Sequence, residues 1–237
     1  NGKWAQRLIE TEYLGASLHP HFSDRGDRLF WTVRESTGKK IRQRLFLKTP
    51  GKENPWDGWH LAIADFNRDL AGKAKLTNRI DLYRGEGGFF ESHALRSGVI
   101  WFSHTKSGRP FVDDIYRAQW DGSRRVNITK SPGTWEEHGE PSPRRSLITF
   151  NSSRGFDWKH PPDTAKTLRL ELWARRMGTG EIFRLTDLNR QQAGRGRVLT
   201  SDYAWSPSGR EIAVYYATFG PGGVTQKIDI LRLDRAY

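Results

Sequence analysis

The 237-residue sequence contains no cysteine and a single methionine. Without cysteine the chain can form no disulfide, no cysteine-ligated zinc site, no thiol nucleophile and no CxxCH haem attachment. No apolar run approaches the roughly 20 residues that a helix needs to cross a bilayer. HExxH, GxSxG, a Walker phosphate loop and a dinucleotide GxGxxG between strand and helix are also missing, which disfavours several large enzyme classes.

Aromatic residues and glycine are abundant instead. The chain has ten Trp, twelve Phe, seven Tyr and 24 Gly. Aromatic side chains favour strands and glycine supplies tight turns, whereas helical signal is almost absent, which disfavours helix-based readers of DNA. All-β domains of this length commonly stay undivided. We therefore expect an all-β chain that forms a single domain over residues 1–237.

Positive charge exceeds negative charge, with 39 Lys and Arg against 27 Asp and Glu and a net charge of +12. Such an excess favours anionic partners, including acidic proteins, acidic polysaccharide, anionic lipid and nucleic acid. The basic residues are dispersed along the chain, which is more typical of a solvated surface than of a nucleic-acid groove. We expect no cofactor and no nucleic-acid partner.

Four segments share one order of signals: a short strand running into a polar turn, a β-rich strand, an alternating strand, and a fourth strand ending near Leu-Thr or Ile-Thr. The β-rich strands are residues 29–33, 99–102, 147–150 and 212–216. The third strands are residues 61–64, 114–117, 170–173 and 228–231, and fourth strands follow at 74–77, 126–129 and 183–186. Four strands per repeat is the blade of a β-propeller.

The repeats predict a β-propeller of four four-stranded blades. Their limits are about 14–77, 89–130, 136–187 and 201–237. The last repeat stops at its third strand, and residues 4–9 resemble a fourth strand, so we expect this N-terminal strand to complete the last blade and remove its free edge. An insertion at residues 37–58 is long enough for another hairpin, which leaves five blades as an alternative, and a β-sandwich is the other architecture.

Three short motifs carry a family resemblance: Trp205-Ser206-Pro207-Ser208-Gly209, Asp114-Ile115-Tyr116 and Arg184-Leu185-Thr186. They resemble the repeats of TolB-type (WD40-like, PD40) β-propellers. The second repeat lacks the Ser-Pro-Asp-Gly turn, and the first has Asp24-Arg25 where Pro-Asp is usual. The resemblance implies a propeller fold, a periplasmic or extracellular location, and service in envelope assemblies.

The first strand of each repeat supplies candidate ligand-binding residues, because the innermost strands of a propeller line its central channel. His19, His138 and Asp202 stand at matching positions before the turn, with Glu91 as a fourth candidate, and His21 matches Glu140 two positions later. Histidine and carboxylate side chains that converge can act as acid and base or hold a metal. The alternative, which we favour, is that they hydrate a water-filled channel and hold no metal.

Two insertions supply candidate partner-binding residues. Trp56 and Trp59 flank Asp-Gly at the end of the insertion at residues 37–58, and Phe156 and Trp158 lie in a second insertion at residues 155–167. Tryptophan is enriched at interface hot spots. Exposed, these rings would contact a protein partner or stack on sugar; folded back, they would pack against their own blades.

Two functions fit these observations. The first is a non-catalytic interaction scaffold, a subunit or domain of a larger envelope or extracellular assembly with an anionic partner. The alternative is a polysaccharide lyase or hydrolase that uses His and carboxylate residues at the channel mouth. His138 with Arg144 or Arg145 is the base and cation pair that such an enzyme would need.

Overall fold

The computed structural model describes residues 6–9, 15–35, 58–105, 112–157, 167–191, 193–194 and 196–237. Within these ranges the regular structure is nearly all antiparallel β-strand, and helix is almost absent apart from the short α1 (Leu188–Gln191). The prediction of an all-β chain is confirmed. Most of the insertion at residues 37–58, where a fifth blade could begin, lies outside the described residues.

The first two sheets each contain four strands in chain order. The first consists of β1 (Ala16–Phe22), β2 (Arg28–Arg34), β3 (Trp59–Arg68) and β4 (Ala74–Leu82). The second consists of β5 (Phe89–Arg96), β6 (Val99–Thr105), β7 (Asp113–Gln119) and β8 (Val126–Asn127). Each sheet is therefore an antiparallel meander of consecutive strands.

The last two sheets differ from one another in strand number over the described residues. The third sheet has four strands: β9 (Glu136–Pro141), β10 (Leu147–Ser152), β11 (Glu171–Arg176) and β12 (Ile182–Arg184). The fourth has three: β13 (Arg197–Trp205), β14 (Glu211–Gly220) and β15 (Gly223–Arg232). One edge of the fourth sheet is thus formed by β15.

Over its described residues the N-terminal segment adds no strand to the fourth sheet, contrary to the prediction for residues 4–9. Its described part, residues 6–9, is not a strand. The side-chain amide of Gln6 donates to the carbonyl of Ala74 and accepts the Ala74 amide at 2.8 Å. Ile9 packs against a buried cluster of the first sheet that includes Trp31. Backbone groups and apolar surface of the first sheet therefore hold this segment.

Serine explains why the polar turn recurs. The hydroxyl oxygens of Ser23, Ser142 and Ser206 each accept, at 3.1 Å, the backbone N–H of the residue that opens the next strand. The second sheet uses a two-residue turn instead, Ser97-Gly98, with φ of 48° and 76°. Positive φ at both positions is the signature of a type I′ hairpin, which needs no serine cap.

The chain divides into two compact units. One contains the first two sheets, the other contains the last two, and the boundary runs through β7 between Ile115 and Tyr116. Among the described residues, no helix is long and apolar enough to cross a bilayer.

Each unit has its own core. In the first unit Phe30, Leu61 and Ile63 of the first sheet pack with Phe90 and Phe102 of the second. In the second unit the buried cluster joins β11, β13 and β14, with Leu172, Ile212 and Val214 at its centre. Alternating side chains of neighbouring sheets fill these cores, as expected for stacked blades.

Candidate functional site

A β-bulge interrupts the first strand of every sheet. The register between first and second strands shifts after Leu18 in β1, after Ser92 in β5, after Glu137 in β9 and after Thr200 in β13. Each shift inserts one extra residue into the first strand. Bulges redirect side chains and are common beside active sites, so we treat the bulges of each unit as the candidate functional site of that unit.

Two of the bulges contain a histidine in the left-handed conformation. His19 has a φ of 51° and His138 a φ of 54°. This region is uncommon for residues other than glycine, although histidine enters it more readily than most. The two histidines that the sequence analysis aligned therefore share one backbone geometry as well as one repeat position.

In the first unit, hydroxyl groups hold the His19 bulge. The Ser92 hydroxyl donates to the His19 carbonyl at 2.7 Å. Because that bond uses its only proton, Ser92 accepts from the Thr32 hydroxyl, 3.1 Å away. The Thr32 oxygen in turn accepts the Ser92 amide at 2.8 Å. These groups connect the first strand of the second sheet to the bulge of the first.

His21 is fixed beside this bulge. Its Nε2 lies 3.0 Å from the Ser92 carbonyl, and since a carbonyl only accepts, Nε2 carries the proton. Burial lowers the pKa of His21 below its ordinary value, and the nearby His19 and Arg96 lower it further, against the hydrogen bond to Ser92. His21 is therefore a neutral hydrogen-bond donor at neutral pH.

His19 itself is paired with a carboxylate. Its Nδ1 lies 3.3 Å from Oε1 of Glu91, and the imidazole is 35% exposed whereas the Glu91 side chain is 9% exposed. The Ser103 hydroxyl donates to the other carboxylate oxygen at 3.4 Å. A half-exposed imidazole oriented by a buried carboxylate is an arrangement that can transfer protons.

In the second unit, a tyrosine holds the His138 bulge. The Tyr203 hydroxyl lies against the carbonyls of His138 and Thr149, the latter at 2.6 Å, and accepts the Glu140 amide at 3.0 Å. Although part of the ring is exposed, these three groups enclose the hydroxyl. Burial, followed by the charge of Glu140, raises the pKa of Tyr203 well above its ordinary value. The phenol is a neutral bridge at physiological pH.

His138 also receives a side-chain hydrogen bond. Asn151, which is fully buried, directs its amide nitrogen at Nδ1 of His138 at 3.3 Å and at the carbonyl of Ser201. An amide N–H donates, so Nδ1 is an acceptor and carries no proton. The contact with Asn151 therefore orients the ring and selects the tautomer that has its proton on Nε2.

Asp202 and Glu140 differ from the histidines. Asp202 is exposed, and counted from the bulge the equivalent of His19 and His138 in the fourth sheet is Ser201. Glu140 is half-buried and follows its bulge, so its backbone amide makes the bond to Tyr203. The sequence could not show this, because three paired residues lie between the bulge and the turn in the fourth sheet, against two in the first and third sheets.

The predicted partner-binding rings are only partly described. Trp56 and Trp158 lie outside the described residues. Trp59 is the first residue of β3 and packs edge-to-face on Phe89, with ring centroids 5.1 Å apart. Phe156 is half-buried in the turn after β10, where its amide donates to the Ser153 carbonyl at 3.1 Å. For Trp59, packing on the first unit replaces the loop position that we expected.

A cluster that the sequence analysis missed joins Glu35, His60 and Asp81, whose ligand atoms lie within 4.8 Å of one another. His60 is buried, and burial lowers its pKa despite Asp81. Arg84 contacts Glu35 at 2.5 Å and Asp81 at 4.0 Å. Because a guanidinium already lies between the carboxylates, we interpret the cluster as an ion network.

A second missed feature is the exposure of β15. All of its ten residues except Leu231 are exposed, and Val224, Ile228 and Ile230 are 55%, 68% and 55% exposed. The alternating apolar residues predicted a half-buried strand. The sequence did contain a signal for a free edge, because the fourth repeat stops at its third strand. We expected residues 4–9 to cover that edge.

Comparison with known proteins gives the fold. No family model matches the chain, and no curated protein matches it. A solved structure of a prolyl endopeptidase is 13% identical with a TM-score of 0.54, and the match covers 93% of this chain and 25% of that one. At this identity the likeness shows the fold alone, which is that of the β-propellers.

Two further solved structures match with lower TM-scores. An oligogalacturonate lyase in complex with manganese is 13% identical with a TM-score of 0.46, over 92% of this chain and 54% of that one. A putative TolB from Agrobacterium tumefaciens is 15% identical with a TM-score of 0.42, over 92% and 82%. The chain thus spans about half of the lyase and a quarter of the prolyl endopeptidase.

Proposed function

We propose that this chain is a non-catalytic protein-interaction scaffold, a propeller of four blades that binds a protein partner through the edge of its fourth sheet. The observation that carries the proposal is β15, a ten-residue strand at a sheet edge that is exposed over nearly its whole length. The other three sheets have four strands each. The fourth sheet is therefore one strand short of them over the described residues.

The backbone of β15 offers a row of hydrogen-bonding groups. Leu233 donates its amide to the Arg210 carbonyl at 2.9 Å, in the same register that β15 keeps with β14. Groups that face the neighbouring strand alternate with groups that face away. The residues that face away are Val224, Gln226, Ile228, Ile230 and Arg232. An added strand would pair with these groups, which is a common mode of peptide recognition.

The side chains of β15 favour the same interaction. Val224, Ile228 and Ile230 lie on one face, opposite Phe219, Tyr215 and Ala213 of β14. No bulge interrupts the pairing of β14 with β15, and β15 contains no proline. A long, regular edge with exposed apolar residues is a template for pairing with another chain.

We place this scaffold in a larger envelope or extracellular assembly. The resemblance of its repeats to TolB-type repeats supports that setting. The net charge of +12 supports an anionic surface as one of its partners. The β15 edge is not itself the basic surface, since it carries both signs of charge at Lys227, Asp229 and Arg232. We therefore propose that the edge and the basic surface contribute separately to binding.

A photo-cross-linking amino acid at position 228 tests the proposal in cells that express the full chain. We expect covalent adducts with protein at position 228, and none at position 70, where Leu70 is a fully exposed turn residue. Combining the position 228 probe with Gln226→Pro, which removes one outward amide, should abolish the adducts. Equal adducts at positions 228 and 70, or none at either, would contradict a binding edge.

The His19–Glu91 pair supports a second candidate function, a lyase or hydrolase that acts on an acidic polysaccharide. An imidazole held 3.3 Å from a buried carboxylate could remove a proton from a uronate ring. The test is to incubate the protein with polygalacturonate and follow the ultraviolet absorbance of unsaturated product. Turnover that His19→Asn and Glu91→Gln abolish would support the enzyme, whereas no turnover by the unaltered protein would exclude this substrate.

A further inference from the structure

We propose that the strand added to β15 is β15 of a second copy of this chain, paired antiparallel about a two-fold axis with Ile228 opposite Ile228. The inference rests on the proposed function, because it names the partner of the same edge. A pairing of identical edges is isologous, so every contact that it makes occurs twice.

Backbone directions limit the possible registers. Only residues that face away from β14 can bond to the second copy, and these are the even-numbered residues from 224 to 232. Antiparallel pairing must therefore place even opposite even and odd opposite odd. With Ile228 at the axis, Gln226 faces Ile230 and Val224 faces Arg232 of the second copy. All five outward-facing residues are then paired.

Charge selects among the allowed registers. An axis at Lys227 would place two lysines opposite one another, and an axis at Asp229 would do the same with two aspartates. An axis at Ile228 places Lys227 opposite Asp229 of the second copy, and Asp229 opposite Lys227. These pairs occupy the narrow, non-hydrogen-bonded sites, where side chains of opposing strands lie closest. The sequence of β15 is thus complementary to itself.

Apolar burial acts on the other face of the strand. Ile228 is 68% exposed and would meet its own counterpart at the axis, while Ile230, 55% exposed, would meet the aliphatic part of Gln226. Removing such surface from water favours association. The two sheets would become one continuous six-stranded sheet with both β15 edges closed.

The net charge of each copy opposes the pairing over long distances. Both copies carry +12. At physiological ionic strength, however, charges are screened beyond about 8 Å. The paired strands themselves contribute two Asp and four basic residues in total, of which two Lys are matched with the two Asp. Measurements should therefore be made at physiological rather than low salt.

The experiment is sedimentation equilibrium with multi-angle light scattering on the purified full chain. The unaltered protein should form a dimer in a concentration-dependent way. K227D and D229K should each weaken dimerisation about tenfold or more, because each replaces two attractions by two repulsions. An equimolar mixture of K227D and D229K should form a heterodimer nearly as tight as the original, since each copy then supplies the charge that the other lacks.

A further variant serves as the control for a folding defect. Asp229 accepts a hydrogen bond from the Tyr216 hydroxyl at 2.8 Å, so D229K could disturb β15. Ile228→Pro avoids this side chain and removes an amide that faces away from β14; it should be monomeric with an unchanged circular dichroism spectrum. Recovery of the dimer in the mixture cannot arise from a folding defect.

The outcomes separate the two proposals. A monomeric unaltered chain, or a mixture no tighter than its components, would overturn the second copy as partner. If position 228 still gave adducts with other proteins that Gln226→Pro removed, the scaffold proposal would stand without the dimer. A monomer without adducts would overturn both.

Discussion

The first strands of the sheets and the last strand of the fourth sheet use their backbone groups in opposite ways. In β1 and β9 the carbonyl of the histidine in the bulge accepts a hydrogen bond from a hydroxyl group of the following sheet. In β15 the outward row of amides and carbonyls faces solvent. His19 and His138, two of the predicted ligand-binding residues, therefore also join neighbouring sheets through their backbone carbonyls. The surface that we propose for binding is instead the edge of β15, which no motif marked in the sequence.

The two bulges also differ from one another. Ser92 and Thr32 hold the His19 bulge through a short chain of hydroxyls, while the single phenol of Tyr203 spans the His138 bulge. A small side chain, Ser92, therefore bonds the backbone of the bulge in the first unit, and a large one, Tyr203, does so in the second. We expect the larger residue to contribute more stability, because it satisfies groups on both strands of the bulge.

Tyr203→Phe should have the largest effect, a loss of about 2–3 kcal/mol in the free energy of unfolding. It removes the acceptor of the Glu140 amide and a donor to the carbonyls of the bulge, and leaves these groups buried. Urea denaturation followed by fluorescence would measure it. Tyr215→Phe is the matched control and should change stability little; equal losses for the two variants would show that the bulge does not depend on the phenol.

Ser92→Ala should cost about 1–2 kcal/mol, since it leaves the His19 carbonyl and the Thr32 hydroxyl without their shared partner. The same urea titration would detect it. Ser123→Ala removes an exposed hydroxyl that bonds only within its own turn, and should cost a few tenths of a kcal/mol. A Ser92 variant as stable as the Ser123 variant would contradict the proposed role.

Backbone conformation at His19 can be read from a pair of substitutions. Because φ is 51°, His19→Gly should be more stable than His19→Ala by about 1 kcal/mol. His21 is not in the left-handed region, so the order should reverse there, with glycine less stable by about 0.5–1 kcal/mol. Both members of each pair lack the imidazole, and thermal unfolding would give the difference. The same order at both positions would be inconsistent with the bulge.

Stability should also depend on the protonation of His21 and His60. Both pKa values are lowered below 6.5 in the folded chain, mainly by burial. The unfolded chain therefore binds protons more readily, and stability should fall as pH decreases from about 6.5 towards the folded pKa values. Urea midpoints across this range should decline less steeply in His21→Gln. An identical decline in that variant would show that His21 does not contribute to the pH dependence of stability.

Ile228→Pro should have the smallest effect on folding, below about 0.5 kcal/mol, because its amide faces away from β14. Lys227→Pro removes an inward amide of the same strand, which breaks a hydrogen bond to β14, and should cost about 1–2 kcal/mol. Urea denaturation at low protein concentration would separate the two. Similar losses at both positions would mean that the assigned directions of the β15 backbone are wrong.

Much of the architecture was predictable because it depends on local signals. Ser23, Ser142 and Ser206 mark turns through their own hydroxyl bonds, and runs such as Leu147–Phe150 are strands by composition. These signals recur within each repeat, so four sheets of consecutive strands could be anticipated from the sequence.

The bulge contacts could not be predicted in the same way. Tyr203 reaches His138 across 65 residues, and Ser92 reaches His19 across 73. Neither pairing leaves a trace in local spacing. The N-terminal prediction was wrong for a related reason: the apolar residues of segment 4–9 suit a strand, but Gln6 and Ile9 find their partners in the first sheet.

The most direct measurement of the central claim is amide hydrogen exchange along β15 by NMR at increasing concentrations of the full chain. The account predicts that the amides of residues 224, 226, 228, 230 and 232 become protected as concentration rises. The odd-numbered amides of residues 225–231, already bonded to β14, should show no such gain. Fast exchange of the even-numbered amides at every concentration would contradict a paired edge.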